Sequence, residues 1–387
     1  MSVKYNLPIL LLAIAHLVTD LTQGAVPILL PFLKEKFLLN YSQVGMIVLV
    51  QNLTSSVIQP LFGYYTDKIS IFWLLPASVL VATIGIVLTG YATSYSSLLF
   101  IVIITGVGVA AFHPQASRSA MLLSSADSKG KNMGLFSVGG NLGFALGSII
   151  MSVLIVLPGD LYNTVYFLIP GILVFAWLMQ ARGQLDTYTK VGSKGEKIKP
   201  AAKVAQAYYY LFMLISFIFI RSTIQMGVTT YLPLYYIENL AGEPKYAANL
   251  ISMFLVFGVL GTFLGASLSD KFGRKKIILA SMVITLPLLI LLPYSSGLST
   301  IVLTAVLGFA LVFSFATTVV LAQELLPNNI GMASGLTIGF SIGLGGVGVT
   351  ALGFLADNFG LEIVFKLLMF LPLLGLVLVS RLPNDQK

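Results

Sequence analysis

Long apolar runs separated by short polar breaks dominate the chain. Twelve of them, at 7–33, 41–65, 71–93, 96–123, 131–157, 161–180, 205–237, 246–269, 275–294, 298–325, 330–356 and 361–381, meet the roughly 17–25 residues that a membrane-spanning helix needs. None shows the period-two alternation over about ten residues that marks a barrel strand. The pattern predicts an all-α integral membrane protein with twelve transmembrane helices. The first run carries His16, Asp20 and Gln23 and has no small-residue cleavage site after an unbroken apolar core, so it reads as helix 1 and not as a cleaved signal peptide.

Composition agrees with the pattern. Of 387 residues 57% are hydrophobic and 9% charged, whereas a soluble domain carries about 25% charged residues. The absence of cysteine excludes a disulfide framework, a thiol nucleophile and thiolate-held metals. With two histidines in all, no metal site and no cofactor is expected. The net charge of +8 invites a nucleic-acid reading until the basic residues are placed. With a cytoplasmic N-terminus, Lys4, Lys68, Arg118, Lys129, Lys131, Arg182, the linker lysines, Lys271, Arg274, Lys275, Lys276, Arg381 and Lys387 fall on the inner side. Lys34, Lys36, Lys245 and Lys366 fall on the outer side. This is a strong positive-inside bias, so both termini are expected in the cytoplasm and nucleic acid is not an expected partner.

The longest inner polar stretch, 181–204, is rich in Gly, Ser and Lys and reads as a flexible linker. It divides the chain into six-helix bundles at 1–180 and 205–387. The halves resemble each other at a shift of about 202. Gln23 and Pro31 answer Gln225 and Pro233, and the segment from Gly63 to Asp67 and Lys68 answers Ala266 to Asp270 and Lys271. Such repeats place a transport site near mid-membrane.

The second loop runs Asp270-Lys271-Phe272-Gly273-Arg274-Lys275-Lys276. Here the chain resembles the major facilitator superfamily, whose signature after helix 2, often echoed after helix 8, reads Gly-x-x-x-Asp-Arg-x-Gly-Arg-Lys. The N-terminal copy keeps Gly63 and Asp67, then departs into Ile69-Ser70; the C-terminal copy has Ala266 in place of glycine. His16, Asp20, Gln59-Pro60, Phe112-His113-Pro114, Ser117-Arg118 and Val138-Gly139-Gly140-Asn141 are similar to the fosmidomycin-resistance branch. The resemblance implies a secondary transporter in a bacterial or archaeal cytoplasmic membrane, expelling a drug-like solute against protons and acting as a monomer. It also implies that helices 1, 4, 7 and 10 line a cavity. The glycine-rich helix 5 lacks the Gly-Pro associated with antiporters in the superfamily, which leaves the direction open.

Ionisable groups inside apolar spans cost at least about 2.5–3.5 kcal/mol each and therefore call for a partner, a wet cavity or a function. Asp20 and Arg221 stand near mid-membrane by residue count. Asp20 is the expected proton carrier, with simple helix-locking as the alternative. His113 and His16 sit at matching depths and are candidates for proton relay or for packing. A metal site on them would need Asp20 as third ligand. Glu324 is either a secondary proton site, a gate or an interfacial residue. Arg221 and Arg118 are candidate anion donors, Arg118 having a snorkelling alternative. Gln23, Gln225, Asn141 and Gln51 complete the substrate candidates. Gly63, Asp67, Asp270, Gly273 and Arg274 form the loop motifs, either gating or marking topology. Gly139, Gly143 and Gly147, and Gly335, Gly339 and Gly343, are smooth packing faces. The leading reading is proton-coupled efflux of a small anionic or amphiphilic solute; coupled import of a sugar or organic acid and a non-transporting receptor or membrane enzyme are the rivals. No nucleophile, phosphate loop or metal set supports an enzyme.

Overall fold

A computed structural model describes residues 7–39, 41–69, 72–183, 204–240 and 244–383. Most of the expected linker, at 184–203, lies outside these, as do Lys4 and Lys387. The described residues are helical, with no strand among them. Among the described residues ten helices are long and apolar enough to cross a membrane, against the twelve spans that the sequence predicts; Leu74–Gly90, Ile330–Gly339 and Gly345–Ala356 are apolar but shorter.

The helices follow the apolar runs, with breaks where backbone chemistry demands them. Run 7–33 is α1 (Leu7–Phe37). Run 41–65 divides into α2 (Tyr41–Val57) and α3 (Gln59–Lys68). Pro60 cannot donate to the helix ladder, and proline is tolerated in the first turn of a helix, which is where it stands in α3. The third run is the shorter α4 (Leu74–Gly90). Then come α5 (Tyr95–Leu122), α6 (Lys129–Leu154) and, after a 3₁₀ stretch over Asp160–Phe167, α7 (Leu168–Gln180). Beyond the linker lie α8 (Val204–Leu240), α9 (Pro244–Phe272), α10 (Arg274–Leu291), α11 (Leu298–Val312) and α12 (Phe315–Leu325). Run 330–356 begins as α13 (Ile330–Ser334), passes through a π segment at Gly335–Gly339 and continues as α14 (Phe340–Phe359); α15 is Leu361–Ser380.

The chain packs as two compact units. The first comprises Met1–Ser125, Leu135–Ile198 and Pro327–Gly339; the second comprises Ala126–Gly134, Lys199–Leu326 and Phe340–Lys387. Each unit thus includes a short segment from the other sequence half.

In the first unit the glycine stripe of α6 sets the geometry of the site. A side chain at Gly139, Gly143 or Gly147 would overlap the carbonyl oxygen of Ala13, Leu17 or Leu21 of α1. The two backbones therefore touch along three successive turns, the close approach that small residues permit in membranes. Gly24 meets the Phe144 carbonyl in the same way from the α1 side. This contact fixes which residues of α6 face His16 and Asp20. The second stripe also packs within this unit, Gly335 and Gly339 resting on the backbone of Gln59 and Ser56. In the second unit Gly261 and Gly265 of α9 sit against the Phe309 and Phe313 carbonyls.

Candidate functional site

Asp20 lies thirteen residues into α1, about 20 Å along the helix at 1.5 Å per residue, and so near the middle of the Leu7–Leu30 span. His16 is one turn earlier, and its Nε2 is 3.2 Å from Asp20 Oδ2. From α5, His113 brings its Nε2 to 3.1 Å from Asp20 Oδ1 and 3.1 Å from His16 Nε2. The sequence-predicted pair of imidazoles and the predicted carboxylate thus form one cluster. Gln23 joins it, donating Nε2–H to Asp20 Oδ1 at 3.0 Å. The cluster is nearly closed to solvent: His113 is 1% exposed, His16 5%, and the Asp20 side chain 13%.

The far side of each imidazole is held by backbone. His16 Nδ1 is 2.7 Å from the Phe136 carbonyl, and the Phe136 ring stacks on the imidazole at 4.2 Å. His113 Nδ1 is 3.1 Å from the Val109 carbonyl of its own helix. Gly140, one turn after Phe136, leaves room for the cluster, because a Cβ there would overlap His16 Nε2 and crowd Asp20 Oδ2. Phe136 was not anticipated; nothing in its local sequence distinguishes it from other apolar positions. Gly140 was visible only as half of a Gly-Gly pair. The three side chains place their donor atoms within 4.8 Å of one another, a spacing that suits a shared cation of small radius.

Arg118, two places short of a second turn beyond His113, points elsewhere. Its Nε donates to Asp67 Oδ1 at 3.1 Å, with both side chains buried. The Asp67 carboxylate also accepts from the backbone N–H of Gly331 at 2.8 Å and of Met332 at 3.0 Å, at the start of α13. A carboxylate on the first amides of a helix is stabilised by their unpaired donors and by the helix dipole. Gly63 makes the approach possible, since a Cβ there would overlap the Gly331 carbonyl.

The second unit repeats the arrangement about 200 residues along. Asp270 accepts from the N–H groups of Gly130 and Lys131 at 2.8 Å each, at the start of α6, and from Arg274 at 2.6 Å. Arg274 extends to Glu324 at 3.4 Å, and Lys129 reaches the same carboxylate at 3.3 Å. Gly273 turns the chain into α10 with φ of 99°, a left-handed conformation natural only to glycine. Glu324 is therefore joined to the loop motif and is not isolated.

Arg221 is 1% exposed in the middle of the Ala205–Leu232 span, its guanidinium 5.0 Å from the Phe315 ring centroid. An arginine over an aromatic face gains a cation–π attraction that grows as water is removed. Gln225 lies one turn further along α8, half-buried, its carbonyl accepting from Thr229. Gln51 is buried on α2, while Asn141 is half-buried on α6, next to Gly140.

Many helices long and apolar enough to cross a membrane, with ionisable side chains clustered inside the spans and no strand among the described residues, mark a multi-pass membrane protein. The chain belongs to the Major Facilitator Superfamily, whose family model matches residues 12–337 and 236–387. It is 33% identical over 382 residues to the fosmidomycin resistance protein of Escherichia coli (strain K12), covering 97% of this chain and 93% of that one. It is 34% identical over 386 residues to the uncharacterized MFS-type transporter YfnC of Bacillus subtilis (strain 168), covering 98% and 93%. A probable nitrate transporter, NarT of Staphylococcus haemolyticus, is 28% identical over 83% of this chain and 80% of its own. Among solved structures, FucP in the outward conformation matches with a TM-score of 0.75 at 17% identity, covering 98% of this chain and 100% of that one. The expected superfamily and its fosmidomycin-resistance branch are borne out, and the protein is a transporter of the cytoplasmic membrane and not an enzyme.

Proposed function

We propose that the protein exports a small anionic or drug-like solute in exchange for protons, by alternating access between two bundles of a twelve-span fold with both termini in the cytoplasm. The observation that carries the coupling is the His16–Asp20–His113 cluster at mid-span. Three titratable groups in hydrogen-bond contact, shielded from water, can hold a proton in one state and lose it when the surroundings open. Outward direction is supported by the relative named for fosmidomycin resistance. Anionic preference is supported by the buried positive charge of Arg221 and by relatives named for nitrate and sulfoacetate. Asp67 with Arg118, and Asp270 with Arg274 and Glu324, serve as locks that release helix starts during the cycle.

Inward symport is the second reading, kept open because helix 5 lacks the Gly-Pro associated with antiporters and because the relatives named as nitrate transporters carry no direction in their names. Reconstitution into liposomes with pH gradients of each sign separates the two. Exchange predicts that a proton gradient drives the solute the opposite way, with fosmidomycin as first substrate and nitrate as second. Co-movement of solute and protons identifies symport, and transport indifferent to either gradient removes proton coupling altogether. Asp20→Asn is expected to lower gradient-driven transport at least about tenfold while leaving downhill exchange measurable.

A further inference from the structure

The buried cluster shared by α1 and α5 is built of acceptors. A carbonyl oxygen only accepts, so the Phe136 and Val109 carbonyls, at 2.7 and 3.1 Å, fix a hydrogen on Nδ1 of His16 and of His113. A neutral imidazole carries one N–H, which leaves each Nε2 as a lone pair. The two Nε2 atoms lie 3.1 Å apart, His113 Nε2 is 3.1 Å from Asp20 Oδ1, and His16 Nε2 is 3.2 Å from Asp20 Oδ2. Two lone pairs and the edge of a carboxylate thus converge on one point. Among the described residues neither lysine nor arginine pairs with Asp20; its ion-pair partners are these two imidazoles. A buried carboxylate is ordinarily paired with a cation or bound to a metal.

Protons do not satisfy all three contacts. One on His113 Nε2 serves His16 Nε2 and Asp20 Oδ1 and leaves His16 facing Oδ2 acceptor to acceptor; one on His16 Nε2 does the same with the roles exchanged. One on each ring sets two N–H groups against each other at 3.1 Å. A single metal ion serves all three contacts at once. With bonds of about 2.0–2.2 Å, such an ion holds neighbouring ligand atoms roughly 3 Å apart, and the contacts here have that length. We propose that His16 Nε2, His113 Nε2 and the Asp20 carboxylate bind one divalent ion of the zinc, cobalt or nickel class.

Two imidazoles select that class over magnesium and calcium, which take oxygen ligands. The surroundings have the form that metal-binding side chains require. A ligating histidine places its other ring N–H on a carbonyl or carboxylate, which fixes tautomer and ring orientation, and a ligating carboxylate is itself hydrogen-bonded. Here the Phe136 and Val109 carbonyls hold the rings, and Gln23 donates to Asp20 Oδ1 at 3.0 Å. The Phe136 ring stacks on His16, and Gly140 keeps any side chain off His16 Nε2 and Asp20 Oδ2. A bound ion joins α1 to α5 and occupies the lone pairs that a coupling proton would use, so metal and proton exclude each other. The site goes beyond the export proposal and does not depend on it.

The chain has two histidines and no cysteine, so protein purified in detergent without a histidine tag offers no other imidazole or thiolate. Incubated with Zn²⁺ and dialysed, it should retain one ion per chain, and X-ray absorption at the zinc edge should count two imidazoles and a carboxylate oxygen. Co²⁺ should give the visible spectrum of the same ligand set, and excess Mg²⁺ should displace neither ion. Failure to retain Zn²⁺, fewer than two imidazoles, or displacement by Mg²⁺ overturns the proposal on the wild-type protein alone. His16→Gln, His113→Gln and Asp20→Asn each remove a ligand and should weaken binding by more than the roughly 10–100-fold that loss of an outer hydrogen-bond partner costs. Unchanged affinity in either histidine variant, with its melting temperature showing that it is folded, places the ion elsewhere and also overturns the proposal. None of these readings needs transport, so failure of the export proposal leaves them interpretable.

Discussion

At the scale of single residues, space matters as much as charge. Gly140 has no side chain to contribute, yet a methyl group there would occupy the position of His16 Nε2. Gly140→Ala should therefore displace the imidazole and reduce gradient-driven transport at least about tenfold, measured in liposomes at matched protein content. The control is Gly346→Ala, where a Cβ meets open space. In a helix, replacing glycine by alanine gains about 0.5–1 kcal/mol, so this variant should transport normally and melt slightly higher. Arg221 offers a different residue-level test. Its guanidinium lies over Phe315, and lysine reproduces the charge but not the planar stacking. Arg221→Gln is expected to raise KM for an anionic solute about tenfold or more, and Arg221→Lys to fall between, as measured by initial uptake rates; an unchanged KM in both removes Arg221 from the substrate site.

At the scale of elements, the paired capping of helix starts sets the energetics. Asp67 serves two backbone amides of α13 and the buried Arg118. Removing one partner of a buried ion pair leaves an uncompensated charge and costs about 3–5 kcal/mol, more than a lost cap alone at about 0.5–2 kcal/mol. Asp67→Ala should thus lower the melting temperature in detergent well beyond Arg118→Leu combined with Asp67→Ala, since the double variant strands no charge. Equal destabilisation in the two would show that the cap, and not the pair, carries the energy. These elements also show how far sequence reading reaches. Apolar length suffices for most helices, and Asp67 and Asp270 are visible as motif residues because the spacing repeats. Their partners are not visible, because Gly331 and Gly130 lie hundreds of residues or a hundred and more away and contribute only backbone N–H groups, which every residue but proline possesses. Arg118 looks like an anion donor or a snorkelling side chain for the same reason: its partner is brought by packing of α3 against α5. The local breaks were half legible. Pro60 explains where α3 starts, whereas the π segment at Gly335–Gly339 has no residue that demands it beyond the small side chains that let it rest on Gln59 and Ser56.

At the scale of the whole molecule, the charge distribution predicts an orientation that can be tested. The inner-face assignment of most of the 22 basic residues rests on the tendency of Lys and Arg to remain in cytoplasmic loops. On that assignment the side from which protons reach the His16–Asp20–His113 cluster would follow. Because the protein has no cysteine, orientation is testable without a background of native thiols. Asp127, before α6, and Ser296, before α11, are both exposed and in polar connections. With a cytoplasmic N-terminus the first faces the inside and the second the outside. A membrane-impermeant maleimide should label Ser296→Cys on intact cells and Asp127→Cys only after permeabilisation or in inverted vesicles. The opposite pattern would reverse the topology, and with it the side from which protons enter. Labelling of both sites from outside would require an even number of spans between them, in place of the five that an alternating path from α6 to α10 gives. The same two variants, if they transport normally, report the side on which solute appears, so orientation and direction of transport are read from one preparation.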